Sequence, residues 1–344
     1  MNRKKELSVD PIDWLLEDDN QYPGVRYFTL KDILGKSADD PEVIQAQEKV
    51  MTHGVVPIIL HEQHRDGYWC EAGPGYYPKY RGTVWQVCHL AQFGADGTHP
   101  QVQKACNYVL DHSRSEFGGI SMNGQKSGMI QCLQGNLGAA LLDLRQGDDE
   151  RLQEALLWLA NSITGNAIAP AEDRDAAPRY YRSGNSGPYF HCSANNHLPC
   201  AWGAVKAMSA LTKILEGDRT WEIQKAIDQG VEFLFSGNPA TADYPMGYAS
   251  KPNRSWFKFG YPIGYVSDVL QIIDVLASLG YGNDPRLQEA IELIIAKSDQ
   301  HGRWNLEYTY NGKTWVDVEE LKKPSKWVTF RVMRVLNQIE NQNL

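Results

Sequence analysis

Apolar residues recur at three- and four-residue intervals along most of the chain, the spacing that lays one stripe along an α-helix. The helical runs come in pairs. Their second members carry a short signature of apolar residue, Gln, charged residue and Ala: Val102-Gln103-Lys104-Ala105, Leu152-Gln153-Glu154-Ala155, Ile223-Gln224-Lys225-Ala226 and Leu287-Gln288-Glu289-Ala290. Before each lies another apolar run: Val84 to Phe93, Leu137 to Leu144, Trp202 to Leu215 and Val269 to Leu279. Two of these end in Phe93-Gly94 and Leu279-Gly280, as a helix stopped by a left-handed glycine does. The unit is therefore helix, short loop, helix, with connections of varying length. Val25 to Leu34 and Pro41 to Gly54 read as an incomplete first unit, and Trp327 to Ile339 as a closing helix. The pattern predicts an all-α protein of about 11–12 helices.

Helical hairpins can stack as an open solenoid or curl into a ring. Glycine-aromatic turns after some second helices favour the ring: Gln63-His64-Arg65-Asp66-Gly67-Tyr68-Trp69, Phe117-Gly118-Gly119 and Gln300-His301-Gly302-Arg303-Trp304. Gly permits a tight turn, Gln can satisfy groups at a helix end, and Trp can cover the joint between neighbouring pairs. The Gln63…Gly67-Tyr68-Trp69 element resembles the QW repeat of squalene and other triterpene cyclases, and the other two look like decayed copies. The resemblance, to the terpenoid cyclase and protein prenyltransferase superfamily and its uncharacterised squalene-cyclase-like bacterial members, runs from about residue 40 to the end. It implies an α/α toroid, a closed barrel of helical hairpins, as a single domain over 1–344, with residues 1–40 as an N-terminal helical extension.

Composition narrows the function. The chain has 344 residues, 42% of them hydrophobic, enough for one large core. A net charge of -8 makes nucleic acid an unsuitable partner. No apolar stretch reaches the roughly 20 residues of a membrane-spanning helix, and the charged start from Met1 to Asp10 lacks a signal-peptide pattern, so the expectation is a cytoplasmic protein.

Six cysteines in a reducing compartment call for a reading as ligands or nucleophiles. His191-Cys192-Ser193-Ala194-Asn195-Asn196-His197-Leu198-Pro199-Cys200 holds three candidates, and Cys132 opens the first helix of the preceding pair. Starts of neighbouring inner helices adjoin in a ring, so Cys132 and Cys200 should be close. Cys132, Cys192, His197 and Cys200 would make a Cys3His zinc set, structural if closed, catalytic if one position is open. The alternative is that these thiols are buried small hydrophobes. Prenyltransferases and lanthipeptide cyclases carry zinc in related toroids, but their ligand order differs and no residue role is carried over.

Tyr76-Tyr77-Pro78-Lys79-Tyr80-Arg81-Gly82-Thr83-Val84-Trp85 feeds an inner helix and is dense in aromatics and cations. Tyr77, Trp85, His89, Trp202, Tyr265 and Trp327 are expected to line an aromatic central cavity. Lys79 and Arg81 would attract an anionic head group, with Tyr80 beside them. Asp268 stands at the apolar start of an inner helix. Burial would make it an acid or base, whereas an N-cap role would engage its carboxylate structurally. The acid motif Asp-x-Asp-Asp of class II cyclases is absent, and Glu17-Asp18-Asp19-Asn20 reads as a solvated helix end. These residues suggest an enzyme acting on a bulky apolar or isoprenoid-like small molecule, with Asp268, Tyr80 and Lys79 as its chemistry. The alternatives are a carbohydrate-active toroid, lyase or glycosidase, and a non-catalytic binding protein with a structural zinc.

Overall fold

The computed structural model describes residues 7, 9–166, 168–170, 181–183 and 185–342. These form an all-α fold. Its helices are α1 (Ile12–Leu15), α2 (Pro23–Phe28), α3 (Pro41–Thr52), α4 (Val55–His61), α5 (Thr83–Gln92), α6 (Pro100–His112), α7 (Gln131–Asp143), α8 (Glu150–Thr164), α9 (Ala201–Leu211), α10 (Trp221–Ser236), α11 (Val269–Ser278), α12 (Gln288–Ile295) and α13 (Lys326–Asn341). A π-helical turn, Thr29–Ile33, continues α2, and the only described strands, Ile168–Pro170 and Tyr181–Ser183, pair in parallel. Part of the loop expected to be pinned by zinc, residues 171–180, lies outside the described residues.

The helices sort into two layers. α5, α7, α9, α11 and α13 pack in succession, each on the next, while α6, α8, α10 and α12 pack outside their partners. Burial follows this division. Every residue of α5 from Thr83 to Ala91 is buried, and so is α13 from Lys326 to Met333. The outer α10 buries one stripe, Ile223, Ala226, Ile227, Gly230 and Leu234, as a surface helix does. All four signature segments fall at or near the start of outer helices.

The last helix lies against the first ones. α13 packs against α2 and the π-turn that follows it. The buried Trp327 ring stacks on Tyr261 at 4.4 Å and meets Phe93 at 5.4 Å and Phe28 at 6.3 Å. α2, in the segment expected to be an N-terminal extension, therefore packs on α13. Trp327, expected at a binding surface, is buried between these elements.

Two of the glycine-aromatic turns repeat the same hydrogen bonds. The Trp69 indole N–H donates to the Ile59 carbonyl in α4 (2.8 Å), and its backbone N–H donates to Thr83 Oγ1 at the start of α5 (3.0 Å). Trp304 makes the equivalent pair with Ile294 of α12 (2.8 Å) and Thr329 of α13 (3.0 Å). Each Trp is fully buried and bolts an outer helix to the following inner one. Gly67 and Gly302 hold the turn with φ of 100° and 67°, where a side chain would be strained. Gln63 donates to the carbonyls of Gly67 (3.3 Å) and Gln101 (2.9 Å), so it reaches across to the outer α6.

The inner helices approach most tightly at Gly135. A Cβ there would lie 2.1 Å from the Lys206 carbonyl oxygen, so the α7 and α9 backbones touch directly. Gly135→Ala should force these helices apart and cost about 3 kcal/mol or more in urea unfolding. Gly217→Ala, at a position with nothing within 4 Å, is the matched control and should stay within about 0.5 kcal/mol of the parent.

Candidate functional site

The segment from Gly260 to Ser267 precedes α11 and has no regular secondary structure apart from a single bridge to Tyr308. Its backbone cannot satisfy itself, and the inner helices do so instead. Arg331 of α13 donates to the Gly260 carbonyl (2.7 Å). Gln92 of α5 donates to the Ile263 carbonyl (2.9 Å) and accepts from the Ile263 amide (2.6 Å). Asn136 of α7 donates to Gly264 (3.5 Å), and Lys206 of α9 donates to Val266 (3.4 Å). The segment is therefore a strap held by four inner helices. Where the sequence suggested an open aromatic cavity, the strap passes across these helices and is bonded to each.

Asp268 ends the strap. Its carboxylate accepts from the Gln271 amide (2.9 Å), capping α11, and pairs bidentately with Arg331 (3.0 and 3.1 Å). Both side chains are buried, so the ion pair and the cap hold the start of α11 against α13. Lys206 is 1% exposed and also donates to Gln271 Oε1. Burial brings its ammonium down to about 7, and the nearby Asp268 only partly opposes the shift. Lys206, Gln92 and Asn136 were not singled out by sequence. A lysine within Ala204-Val205-Lys206-Ala207-Met208 was the available signal. Asp268→Asn should remove one half of the buried pair, strand Arg331, and lower unfolding free energy by about 3–5 kcal/mol in chemical denaturation.

The aromatic residues gather at the mouth, above the strap. Trp85 donates its indole N–H to the Tyr76 carbonyl (2.8 Å), and its ring meets Tyr76, Tyr80 and Tyr265 at 5.4, 4.9 and 5.2 Å. Tyr80 packs on Tyr310 at 4.6 Å. The Lys79 ammonium sits over the Tyr265 ring at 4.9 Å and the Tyr80 ring at 5.2 Å, and among the described residues it has no carboxylate partner. Tyr77 is 61% exposed, edge-on to Tyr76. Arg81 lies over Trp315 at 5.7 Å. Trp202 is half-buried and meets Trp256 at 6.2 Å, apart from this wall.

His89 does not reach the mouth. It is buried beside a void of about 10 Å³ with Gln86, Phe93 and Pro262, and burial pushes its imidazole down to about 4. The unfolded chain therefore takes up this proton first. Stability should fall by about 3 kcal/mol as pH drops from 6.5 towards 4, and His89→Leu should flatten that part of the stability-pH curve. A larger hollow, about 450 Å³, lies elsewhere among Tyr68, Lys104, Tyr108 and Asp111.

The thiols divide into two groups. Cys88 and Cys106 are buried, and burial raises both to about 12. Cys132, Cys192 and Cys200 are half-buried. The neighbouring Cys200 thiol lowers Cys192 and is itself raised by Cys192, by burial and, more weakly, by Cys132. His197 is exposed and contributes to lowering Cys192. Among the described residues, no three His, Cys, Asp or Glu side chains are arranged to hold a metal ion.

No protein-family model matches the chain. Solved structures similar to it include the type II terpene cyclase MstE from Scytonema without ligand, at 12% identity and a TM-score of 0.29, covering 83% of this chain and 96% of that one. An MstE variant with geranylgeranyl dihydroxybenzoate bound gives 11% identity and a TM-score of 0.32, with 83% and 95% covered. A variant with merosterolic acid A bound gives 14% and 0.33, with 83% and 94% covered. At this level of superposition no residue of those proteins is equated with one of this chain. No helix among the described residues is long and apolar enough to cross a membrane.

Proposed function

We propose that the chain is an α/α toroid of the terpenoid-cyclase type that binds an amphiphilic, isoprenoid-like molecule at its mouth and acts on it there. The observation that carries this reading is the accessible pair Tyr80 and Tyr265, backed by the buried rings of Tyr76, Trp85 and Tyr310, with the Lys79 ammonium resting on it. Flat aromatic faces take up apolar chains, and a cation without a carboxylate partner attracts a carboxylate or diphosphate. The roles follow from position. Tyr77 and Tyr265 contact the apolar part, while Lys79 and Arg81 hold the anionic head. Asp268, engaged by Arg331 and by its own helix, is left out of the chemistry.

A second reading, a binding protein without turnover, is favoured by the strap. It passes across the inner helices, where an enclosed cyclisation reaction would need open space.

Calorimetry with farnesyl diphosphate and farnesol tests the main reading. The diphosphate should bind with a Kd on the order of 10 µM, and Lys79→Ala should weaken it by about tenfold while leaving farnesol unchanged. Tyr77→Ala should weaken both ligands. Absence of binding by either compound would sink the proposal. Binding with no product after prolonged incubation would leave the non-catalytic reading standing.

A further inference from the structure

The loop that delivers the chain into α9 folds back on itself. Bridges pair Ser186 with Cys192 and His191 with Pro199 in antiparallel sense. The Cys192 amide donates to Leu198 (3.2 Å), the Cys200 amide to Phe190 (2.8 Å) and the His197 amide to the Cys192 carbonyl (2.9 Å). With His191 opposite Pro199, Cys192 falls opposite Leu198 and Cys200 opposite Phe190. Cys192 and Cys200 therefore project from the same face of this ladder, as diagonal neighbours. The Cys200 thiol is the largest influence on Cys192, holding it below the usual thiol range.

Keeping that geometry carries a conformational cost. Tyr189, Phe190, Asn196 and His197 all have positive φ, between 54° and 62°, and none is glycine. The hairpin is tied on both sides. Asn195 donates to the carbonyls of Pro199 (2.8 Å) and Pro245 (3.0 Å), and Gln131 at the start of α7 donates from its amide to Ser186 Oγ (3.2 Å). Both thiols remain partly open to solvent, unlike the core residues Cys88 and Cys106.

From this arrangement we infer that Cys192 and Cys200 form a reversible dithiol–disulfide couple that responds to peroxide. One thiolate attacks a peroxide oxygen and becomes a sulfenic acid as hydroxide leaves and is protonated to water. The second thiol attacks the sulfenic sulfur, loses its proton and displaces a second water. Two thiols and one hydrogen peroxide give one disulfide and two waters, the sulfurs losing the two electrons that the peroxide gains. The new bond ties the two arms of the hairpin covalently, immediately before Ala201 begins α9. The inference stands apart from the isoprenoid reading, since neither the oxidation nor its detection needs that ligand.

Trypsin offers a direct readout. No Lys or Arg lies between Arg182 and Lys206, so one peptide, Ser183 to Lys206, carries both cysteines, while Cys132 falls in another, Ser127 to Arg145. Full-length protein is treated with one equivalent of hydrogen peroxide, alkylated with iodoacetamide, digested and measured by mass spectrometry. The Ser183–Lys206 peptide should become about 2 Da lighter than its reduced, unalkylated form and lose alkylation by about tenfold, with dithiothreitol restoring it. Cys200→Ser should leave Cys192 as a sulfenic acid trapped by dimedone, and Cys106→Ser should behave as the parent protein. Three outcomes overturn the inference: both thiols still alkylated after peroxide, a cross-link to the Ser127–Arg145 peptide in place of the internal bond, or stoichiometric zinc in the purified protein that must be chelated before either thiol reacts. Circular dichroism of each variant separates loss of the couple from loss of the fold.

Discussion

An irregular length of backbone enclosed by helices must find hydrogen-bond partners away from water, and that constraint organises this molecule. The strap from Gly260 to Ser267 cannot pair with itself, and the helices around it have spent their own amides and carbonyls internally. Apart from the Tyr261 amide, which donates to the Tyr308 carbonyl (3.3 Å), side chains meet the need. Gln92, Asn136, Lys206 and Arg331 each place one polar end on it from α5, α7, α9 and α13. The inner helices are consequently not a plain apolar ring. They carry one polar group apiece at the height where the strap passes, and Asp268 balances the charge of Arg331.

The arrangement explains why the mouth and the interior behave differently. Below the strap, burial drives titratable groups towards their neutral forms, as at His89 and Lys206. Above it, Tyr77, Lys79 and Arg81 are exposed, and the Lys79 ammonium rests on the half-buried rings of Tyr80 and Tyr265, behind which Tyr76, Trp85 and Tyr310 are buried. The strap itself supplies Tyr265 to these rings, so it both crosses the inner helices and floors the proposed binding surface.

Much of the fold was legible because it is encoded locally. The Gln-containing signatures mark outer helices, and the inner helices read as apolar runs with capping glycines. α7 starts at Gln131, beside Cys132 where the sequence placed the opening of that helix, although its apolar run begins only at Leu137. α4 was missed because it follows α3 after a single left-handed glycine, Gly54. The strap was not legible at all. Nothing near Ile263 announces Gln92, which is 171 residues away. Asp268 was ambiguous for the same reason: the local sequence allowed both a cap and an acid, and the residue that engages it, Arg331, lies 63 positions on.

The paired bonds of Trp69 and Trp304 reach only from one outer helix to the next inner one. Each joint is therefore complete within its own neighbourhood and indifferent to where synthesis starts. α1 and α2 both rest against α13, so the two ends of the described chain meet at one seam. An architecture fastened in this way tolerates relocation of its termini: linking the seam and opening a loop between two other hairpins would leave both tryptophan joints intact.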